Sequence, residues 1–256
     1  MRRLQALRVK IFADGADLDG ILQMAANPLI RGFTTNPTLM RKAGVDDYEA
    51  FARRVLTAVP DRPVSLEVFA DDFVEMMRQA RVIATWGPNV NVKIPVRNTA
   101  REFSGPVIRQ LSHEGIALNV TALLTVDQVR RVAECLAPGT PAIVSLFAGR
   151  VADTGVDPVP LMRAAREALA PRPQAELLWA SPRELLNVFQ ADEVGCHIIT
   201  ATNDLLAKLP LVGKDLDDYS LETVAMFRRD ALSAGYEIDT TDRRTEAALG
   251  AGRHQG

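Results

Sequence analysis

Short apolar runs with a period of two alternate along the chain with longer stretches of helical period. The two-residue period is typical of strands, and the longer period is typical of amphipathic helices. The runs predict eight strands, at Val9–Asp14, Gly32–Thr35, Val64–Phe69, Val90–Ile94, Ile116–Thr121, Ala142–Phe147, Glu176–Ser181 and Cys196–Thr200. About eight helices are predicted between them, including Asp47–Thr57, Asp71–Ala84, Ala100–Leu111, Val126–Leu136, Pro160–Leu169 and Pro182–Gln190. Strict alternation indicates parallel strands joined by helical crossovers.

Two architectures fit this alternation, an open doubly wound sheet and a closed (β/α)8 TIM barrel. Eight units in about 215 residues favour the barrel. The segment after the first strand, DGAD, lacks the GxGxxG pattern that marks many open sheets. One additional C-terminal helix is predicted at Tyr219–Leu232. We therefore expect a barrel domain over residues 1–237 and a disordered polar tail over 238–256.

Helix start signals support these boundaries. Asp71 and Asp72 precede one helical stretch and can cap its first amides. Pro158 and Pro182 are each expected in the first turn of a helix.

Composition restricts the class of protein. Thirty basic and 32 acidic residues give a net charge of −2, which predicts neither a nucleic-acid partner nor an anionic membrane. Two cysteines, Cys135 and Cys196, exclude a disulfide scaffold and are expected as reduced, buried thiols. The longest stretch without Asp, Glu, Lys or Arg, Cys135–Gly149, is too short for a membrane helix and contains prolines. These features predict a cytoplasmic protein.

Polar residues on the inner faces of the strands carry the candidate chemistry. In Asn89–Pro95, the alternate apolar residues Val90, Val92 and Ile94 should face the helices, so Lys93 points into the barrel. Burial disfavours the charged ammonium, and a neutral amine is a nucleophile toward carbonyls. The alternative is a structural ion pair within the barrel.

Similar polar residues end the other strands, where barrel active sites are built. These residues are Asp14, Asn36, Glu67, Asn119, Thr121, Ser145 and Ser181, with Phe147 on the same face. Unpaired buried polar groups cost about 1–3 kcal/mol each, so we expect a mutual or substrate-linked hydrogen-bond network. Asp14 and Glu67 could move protons through a water held by Thr121, and the asparagines could bind substrate hydroxyls.

Two arginines lie just beyond strand ends. Arg150 and Arg183, assisted by Ser181, could bind a phosphate, although either could be an ordinary surface arginine. The histidines are far apart and have no metal-ligand spacing, so no metal site is predicted. Cys196 and His197 are neighbours on a strand and therefore face opposite ways.

The chain resembles the transaldolase family over roughly residues 8–215. The matching motifs, in family order, are FADGAD, GFTTNPTL, SLEV, VNVKIPV, LNVTAL, SLFAGRVAD and LWASPRE. The combination of GFTTNPTL and VKIP is highly specific. The resemblance implies a (β/α)8 barrel, a Schiff-base lysine at Lys93, sugar-phosphate substrates, and neither metal nor organic cofactor.

The resemblance also implies a role for each residue. Lys93 would attack the C2 carbonyl of a ketose phosphate, and Asp14 would take the proton that starts cleavage between C3 and C4. Glu67 and Thr121 would hold the catalytic water. The dihydroxyacetone unit would be held by Asn36, Asn119 and Ser145, and the phosphate by Arg150, Ser181 and Arg183, with Phe147 packed in the pocket. The protein would act in the pentose phosphate pathway or in a specialised sugar pathway. A homo-oligomer is also expected, with the helix at Tyr219–Leu232 as a contact surface.

Two alternatives remain, a fructose-6-phosphate aldolase that releases free dihydroxyacetone and a barrel that binds sugar phosphates without catalysis. The aldolase branch typically has Gln at the position of Glu67 and Tyr at that of Phe147, and it lacks the asparagine matched by Asn119. All three positions follow the transferase pattern. Gly15, the segment Arg97–Pro106 and Leu146 depart from the family and bear on substrate identity.

Overall fold

Eight parallel strands close into a barrel in the computed structural model, which describes residues 2–238. The strands are β1 Lys10–Asp14, β2 Ile30–Thr34, β3 Val64–Glu67, β4 Val90–Pro95, β5 Leu118–Leu123, β6 Ala142–Leu146, β7 Ala175–Trp179 and β8 Ile198–Thr202. The α-helices of the described chain are α1 Arg2–Gln5, α2 Leu18–Ala25, α3 Pro37–Lys42, α4 Tyr48–Ala58, α5 Phe73–Ala84, α6 Gly105–His113, α7 Val126–Cys135, α8 Ala148–Ala152, α9 Pro158–Ala168, α10 Leu186–Glu193, α11 Asn203–Leu206 and α12 Leu216–Ser233. A 3₁₀ turn follows α11 at Leu209–Leu211. Within residues 2–238, no helix has both the length and the apolar character needed to cross a membrane.

Each strand pairs with its sequence neighbours, and β1 also pairs with β8, so the sheet has no free edge. The predicted (β/α)8 barrel is therefore confirmed. The register sets Glu67 beside Lys93 and Lys93 beside Asn119. Three polar side chains on one face thus lie at one level of the barrel.

Alternation along the strands creates two apolar layers. Residues such as Val92, Val120 and Val144 pack between the barrel and the helices. The interior is filled by Phe12, Ile143, Leu178, Ala180 and Ile198. The Phe12 ring is accommodated because β2 has Gly32 opposite it, where a Cβ would lie 2.5 Å from the ring. This packed interior forms the floor beneath the polar carboxyl ends of the strands.

The predicted helix starts are partly wrong. Asp72 does cap α5, and Pro158 occupies the first turn of α9. Asp71 instead accepts from the amide and hydroxyl of Thr99. The helix predicted from Ala100 begins at Gly105, because Arg97 bridges to Phe103 and Arg101 has a φ of 68°. Pro182 is not in the first turn of a helix, since α10 begins only at Leu186.

The chain divides into two compact units, one ending at Val212 and one beginning at Gly213. The second unit contains α12, whose bounds enclose the predicted helix Tyr219–Leu232. Asp215 caps α12 by accepting from the amides of Asp217 and Asp218, and Lys214 pairs with Glu222. The tail expected over 238–256 lies outside the described residues from position 239 onward.

Candidate active site

A cavity of about 440 Å³ opens at the carboxyl end of the barrel. Ten of the eleven residues predicted for the site line it, namely Asp14, Asn36, Glu67, Lys93, Asn119, Thr121, Ser145, Phe147, Arg150 and Ser181. They come from seven strands or the segments directly after them, because parallel strands bring their carboxyl ends to one rim. The structure therefore brings these ten side chains together around one cavity.

Lys93 lines this cavity and is 6% exposed. Its Nζ donates to the carbonyl oxygen of Thr35 at 2.7 Å and lies 3.0 Å from Oε2 of Glu67. The Glu67 carboxylate can therefore take a proton from the amine directly. Both contacts leave Nζ at the cavity wall, where a carbonyl carbon could reach it.

Asp14 ends β1 on the same wall. Burial raises the pKa of its carboxyl, although the nearby ammonium of Lys93 and a hydrogen bond from Thr34 act in the opposite direction. The Thr34 hydroxyl donates to Oδ1 of Asp14 at 2.7 Å. A carboxylate whose pKa is raised is a stronger base than an ordinary aspartate.

A second polar chain crosses β3, β5 and β6. Asn119 donates from Nδ2 to Oγ of Ser65 at 3.0 Å and accepts at Oδ1 from the Ser145 hydroxyl at 2.6 Å. All three side chains are buried. Ser65 was not among the predicted site residues, although alternation places it on the face of Glu67. These two hydrogen bonds fix the side-chain amide of Asn119, so the orientation of that amide does not depend on a ligand.

Asn36 has a structural task besides facing the cavity. Its Oδ1 accepts from the amide of Leu39 and caps α3, which leaves its Nδ2 as the donor available to a ligand. Thr121 is buried on β5 and faces the same space.

Ser181 reaches the cavity through an unusual backbone conformation. Leu178 and Ala180 point into the barrel, so simple alternation would turn Ser181 outward. Its φ of 57° turns the chain and brings the side chain to the cavity wall. The prediction that Ser181 lies at the cavity agrees with the structure, but alternation along β7 does not explain its position.

Arg150 and Arg183 line different cavities. Arg150 lines the main cavity, with its guanidinium 5.4 Å from the centre of the Phe147 ring. Arg183 lines an adjoining cavity of about 260 Å³, which shares Asp14, Ser181 and Thr200 with the first. Its Nε donates to Oδ1 of Asp153 at 2.9 Å and its Nη2 to Oδ2.

Asp153, which sequence reasoning missed, is the contact that orients Arg183. The Arg183 guanidinium lowers the pKa of the Asp153 carboxyl, with a smaller contribution from Arg150. The bidentate pair occupies one edge of the guanidinium and leaves its other N–H groups for an anion.

Substituting Gly149, which packs α8 against the segment that follows β7, should destabilise the protein. An added Cβ would lie 1.5 Å from the Ser181 carbonyl oxygen, so Gly149→Ala must displace backbone. We expect a loss of about 1–3 kcal/mol in the free energy of unfolding, measured by urea denaturation. Gly15→Ala is the matched control, since nothing lies within 4 Å of its added Cβ. Equal stabilities for the two variants would contradict the close packing.

His197 and Cys196 line neither of these two cavities. Burial lowers the pKa of His197, whose Nδ1 accepts from the amide of Leu177. Burial raises the pKa of the Cys196 thiol to about 12. Among residues 2–238, no group of three or more His, Cys, Asp or Glu is arranged to hold a metal ion.

The fold and cavity define a class: a (β/α)8 barrel with a buried lysine among acids, amides and hydroxyls at its carboxyl end. Similarity to known proteins narrows that class. Residues 11–247 match the model of the family described as Transaldolase/Fructose-6-phosphate aldolase. The chain belongs to this family.

Named relatives are similar to this chain over most of their length. A "Probable transaldolase" of Dehalococcoides mccartyi is 34% identical over 202 residues, covering 78% of this chain and 90% of the relative. A "Probable transaldolase 2" of Listeria monocytogenes is 32% identical over 226 residues, covering 87% and 99%. Among solved structures, dihydrodipicolinate synthase from Rhodopseudomonas palustris is similar with a TM-score of 0.53 at 16% identity, over 77% of this chain and 70% of that one. That likeness concerns the fold alone.

Proposed function

We propose that this protein is a transaldolase that moves a dihydroxyacetone unit from a ketose phosphate to an aldose phosphate through a Schiff base on Lys93. The observation that carries the proposal is the position of Lys93 Nζ, buried in the cavity and 3.0 Å from Glu67. Family membership and the relatives' names support a transaldolase over the two alternatives.

The first half of the reaction forms and cleaves a Schiff base. Glu67 accepts a proton from Lys93, and the neutral Nζ attacks C2 of the ketose phosphate. Loss of water, positioned by Glu67 and Thr121, gives an iminium ion. Asp14 then removes the proton of the C4 hydroxyl, the C3–C4 bond breaks, and its electron pair is delocalised into the iminium as an enamine. The aldose phosphate leaves.

The second half reverses these steps with another aldehyde. The enamine carbon attacks the aldehyde carbon of the acceptor, Asp14 returns its proton to the new hydroxyl, and water releases the product ketose from Lys93. Asn36, Asn119 and Ser145 hold the three-carbon unit in the meantime. Their support is the fixed amide orientation of Asn119 and the cavity-facing amide of Asn36.

Borohydride trapping tests the proposal. The protein is mixed with fructose 6-phosphate, reduced, and analysed by intact and peptide mass spectrometry. A reduced three-carbon adduct on Lys93 is expected. A second arm omits the acceptor and measures free dihydroxyacetone, whose steady release would favour the aldolase alternative. No adduct from any ketose phosphate would favour the binding barrel.

Arg183→Ala should selectively weaken the binding of phosphorylated substrates. Removal of a charge-assisted anion contact should raise KM for fructose 6-phosphate by roughly 10-fold to 100-fold. Little change is expected for an unphosphorylated donor, measured in the same transfer assay. Equal losses for both donors would contradict the phosphate role. Arg172→Ala is the control, since Arg172 binds the Ala133 carbonyl and lines neither cavity.

The proposal extends to the setting of the reaction. Free, buried cysteines support a reducing compartment, and we propose the cytoplasm. No residue of α12 is buried, and its apolar Leu221, Val224 and Phe227 are exposed, which supports a homo-oligomer that light scattering would detect. The substrates would be those of the pentose phosphate pathway or of a specialised sugar pathway, and trapping with a panel of ketose phosphates separates the two.

A further inference from the structure

Two threonines that line the main cavity, but were not among the residues predicted from the sequence, form a row of hydrogen bonds that ends at Asp14. The Thr34 hydroxyl lies 2.7 Å from Oδ1 of Asp14 and 2.6 Å from the hydroxyl of Thr200. Both threonines are buried, at 3% and 6% exposure. They come from β2 and β8, the two strands that flank β1. Thr34 therefore contacts Asp14 directly, and Thr200 contacts Thr34.

The number of available protons determines which hydroxyl donates in each of these hydrogen bonds. A hydroxyl has one proton, and an ionised carboxylate only accepts. With Asp14 ionised, Thr34 must donate its proton to Asp14. The proton between the two hydroxyls must then come from Thr200, which keeps its lone pairs for a donor in the cavity that Thr200 lines.

We propose that Thr34 and Thr200 are positioning residues that hold Asp14 ionised and directed at the reacting hydroxyl, with Thr200 acting only through Thr34. The inference rests on the proposed function for its catalytic meaning, since Asp14 must be ionised to start carbon–carbon cleavage. When Asp14 takes the substrate proton, it can donate to Thr34, and both hydroxyls can rotate. The chain thus stays satisfied in both protonation states of Asp14.

The charge environment of Asp14 favours a measurable effect. The cation facing it is Lys93 from β4 and the like charge is Glu67 from β3. The other charged groups lining the two cavities beside it are Arg150, Arg183, Asp204 and Lys208. Burial raises the pKa of Asp14, and the Thr34 hydrogen bond restrains that rise. Losing the bond should raise the pKa further.

The test is a double-mutant cycle with isosteric variants, Thr34→Val, Thr200→Val and both together. The pKa of Asp14 is followed by NMR titration of ¹³C-carboxyl aspartate in the free protein. The acid limb of kcat/KM is followed in the cleavage assay. We expect Thr34→Val to move both upward by about half to one pH unit, and Thr200→Val to move them less. The double variant should match Thr34→Val.

Several outcomes would overturn the inference. One is an unchanged Asp14 titration in Thr34→Val. Another is a Thr200→Val shift of equal size with and without Thr34, because Thr200 would then act directly. If Thr34→Val does not fold, an unshifted limb in Thr200→Val overturns it. Thr200→Ser should restore the wild-type limb, and Thr140→Val, whose hydroxyl donates to Ser112 away from the cavity, should leave it unchanged.

The two readouts separate this inference from the proposed function. The titration of Asp14 needs no substrate, so it tests the chain even if no adduct forms on Lys93. A normal adduct together with an unshifted titration would leave the transaldolase proposal standing and remove the threonine chain.

Discussion

Lys93→Met should abolish turnover while the barrel stays folded. The variant keeps the side-chain volume but removes the only atom in the proposed mechanism that can form an iminium and accept the electrons of the breaking bond. We expect a loss of roughly 10⁴-fold or more in kcat, the scale that follows removal of a covalent nucleophile. No adduct should be trapped on the variant with any ketose phosphate.

A matched control separates this chemistry from loss of an ion pair. Lys10 is also a strand lysine paired with a glutamate, at 2.6 Å from Glu176, but it does not line the cavity. Lys10→Met should keep nearly full activity. The double variant Lys93→Met/Glu67→Gln removes the unpaired carboxylate, so it should regain thermal stability relative to Lys93→Met without regaining turnover. Recovered turnover would mean that the pair is structural.

The barrel was predictable because its signal is periodic. Alternation in β4, β5 and β6 separates the helix-facing Val92, Val120 and Val144 from the cavity-facing Lys93, Asn119 and Ser145. A closed barrel then needs only a count of units and their order. The strand ends were less predictable, since β5 continues to Leu123 through Ala122, whose φ is 64°.

Several polar residues in or beside the cavity follow the same alternation but are not recognisable as functional from the sequence. Thr34, Thr200 and Ser65 follow the alternation of their strands, with Phe33 and Ile199 on the opposite face. They look like ordinary strand residues because threonine and serine are common there. Their partners come from other strands, so only the three-dimensional register reveals the chains that they form.

The contact between Asp153 and Arg183 was not predictable from periodicity. The two residues are 30 positions apart, and neither lies in a strand. The placement of Ser181 was equally hard to predict, because it depends on the positive φ of Ser181 itself, whose carbonyl oxygen packs closely against Gly149. Non-repeating loop geometry therefore positions Arg183 and Ser181 of the proposed phosphate site, while repeating strand geometry positions Lys93.

Asp14→Asn should stop the reaction after the Schiff base forms. The asparagine cannot take the C4 hydroxyl proton, so cleavage should slow by roughly 10²-fold to 10⁴-fold. Lys93 remains intact, and trapping with fructose 6-phosphate should therefore give a six-carbon adduct instead of the three-carbon one. A three-carbon adduct at the wild-type rate would exclude Asp14 as the base.

The same aspartate predicts how activity and stability depend on pH. Burial raises its pKa in the folded protein, so kcat/KM should fall with decreasing pH at values above the ordinary aspartate range. The folded state then binds this proton more tightly than the unfolded state. Its stabilising contribution is full below the unfolded pKa and is lost as pH rises through the folded pKa. Asp14→Asn should therefore melt higher than wild type at neutral pH, with the difference vanishing in acid. If Asp14→Asn instead melted lower than wild type at neutral pH, the ionised Asp14 would stabilise the barrel through its attraction to Lys93. The function of Asp14 would then not reduce the stability of the protein.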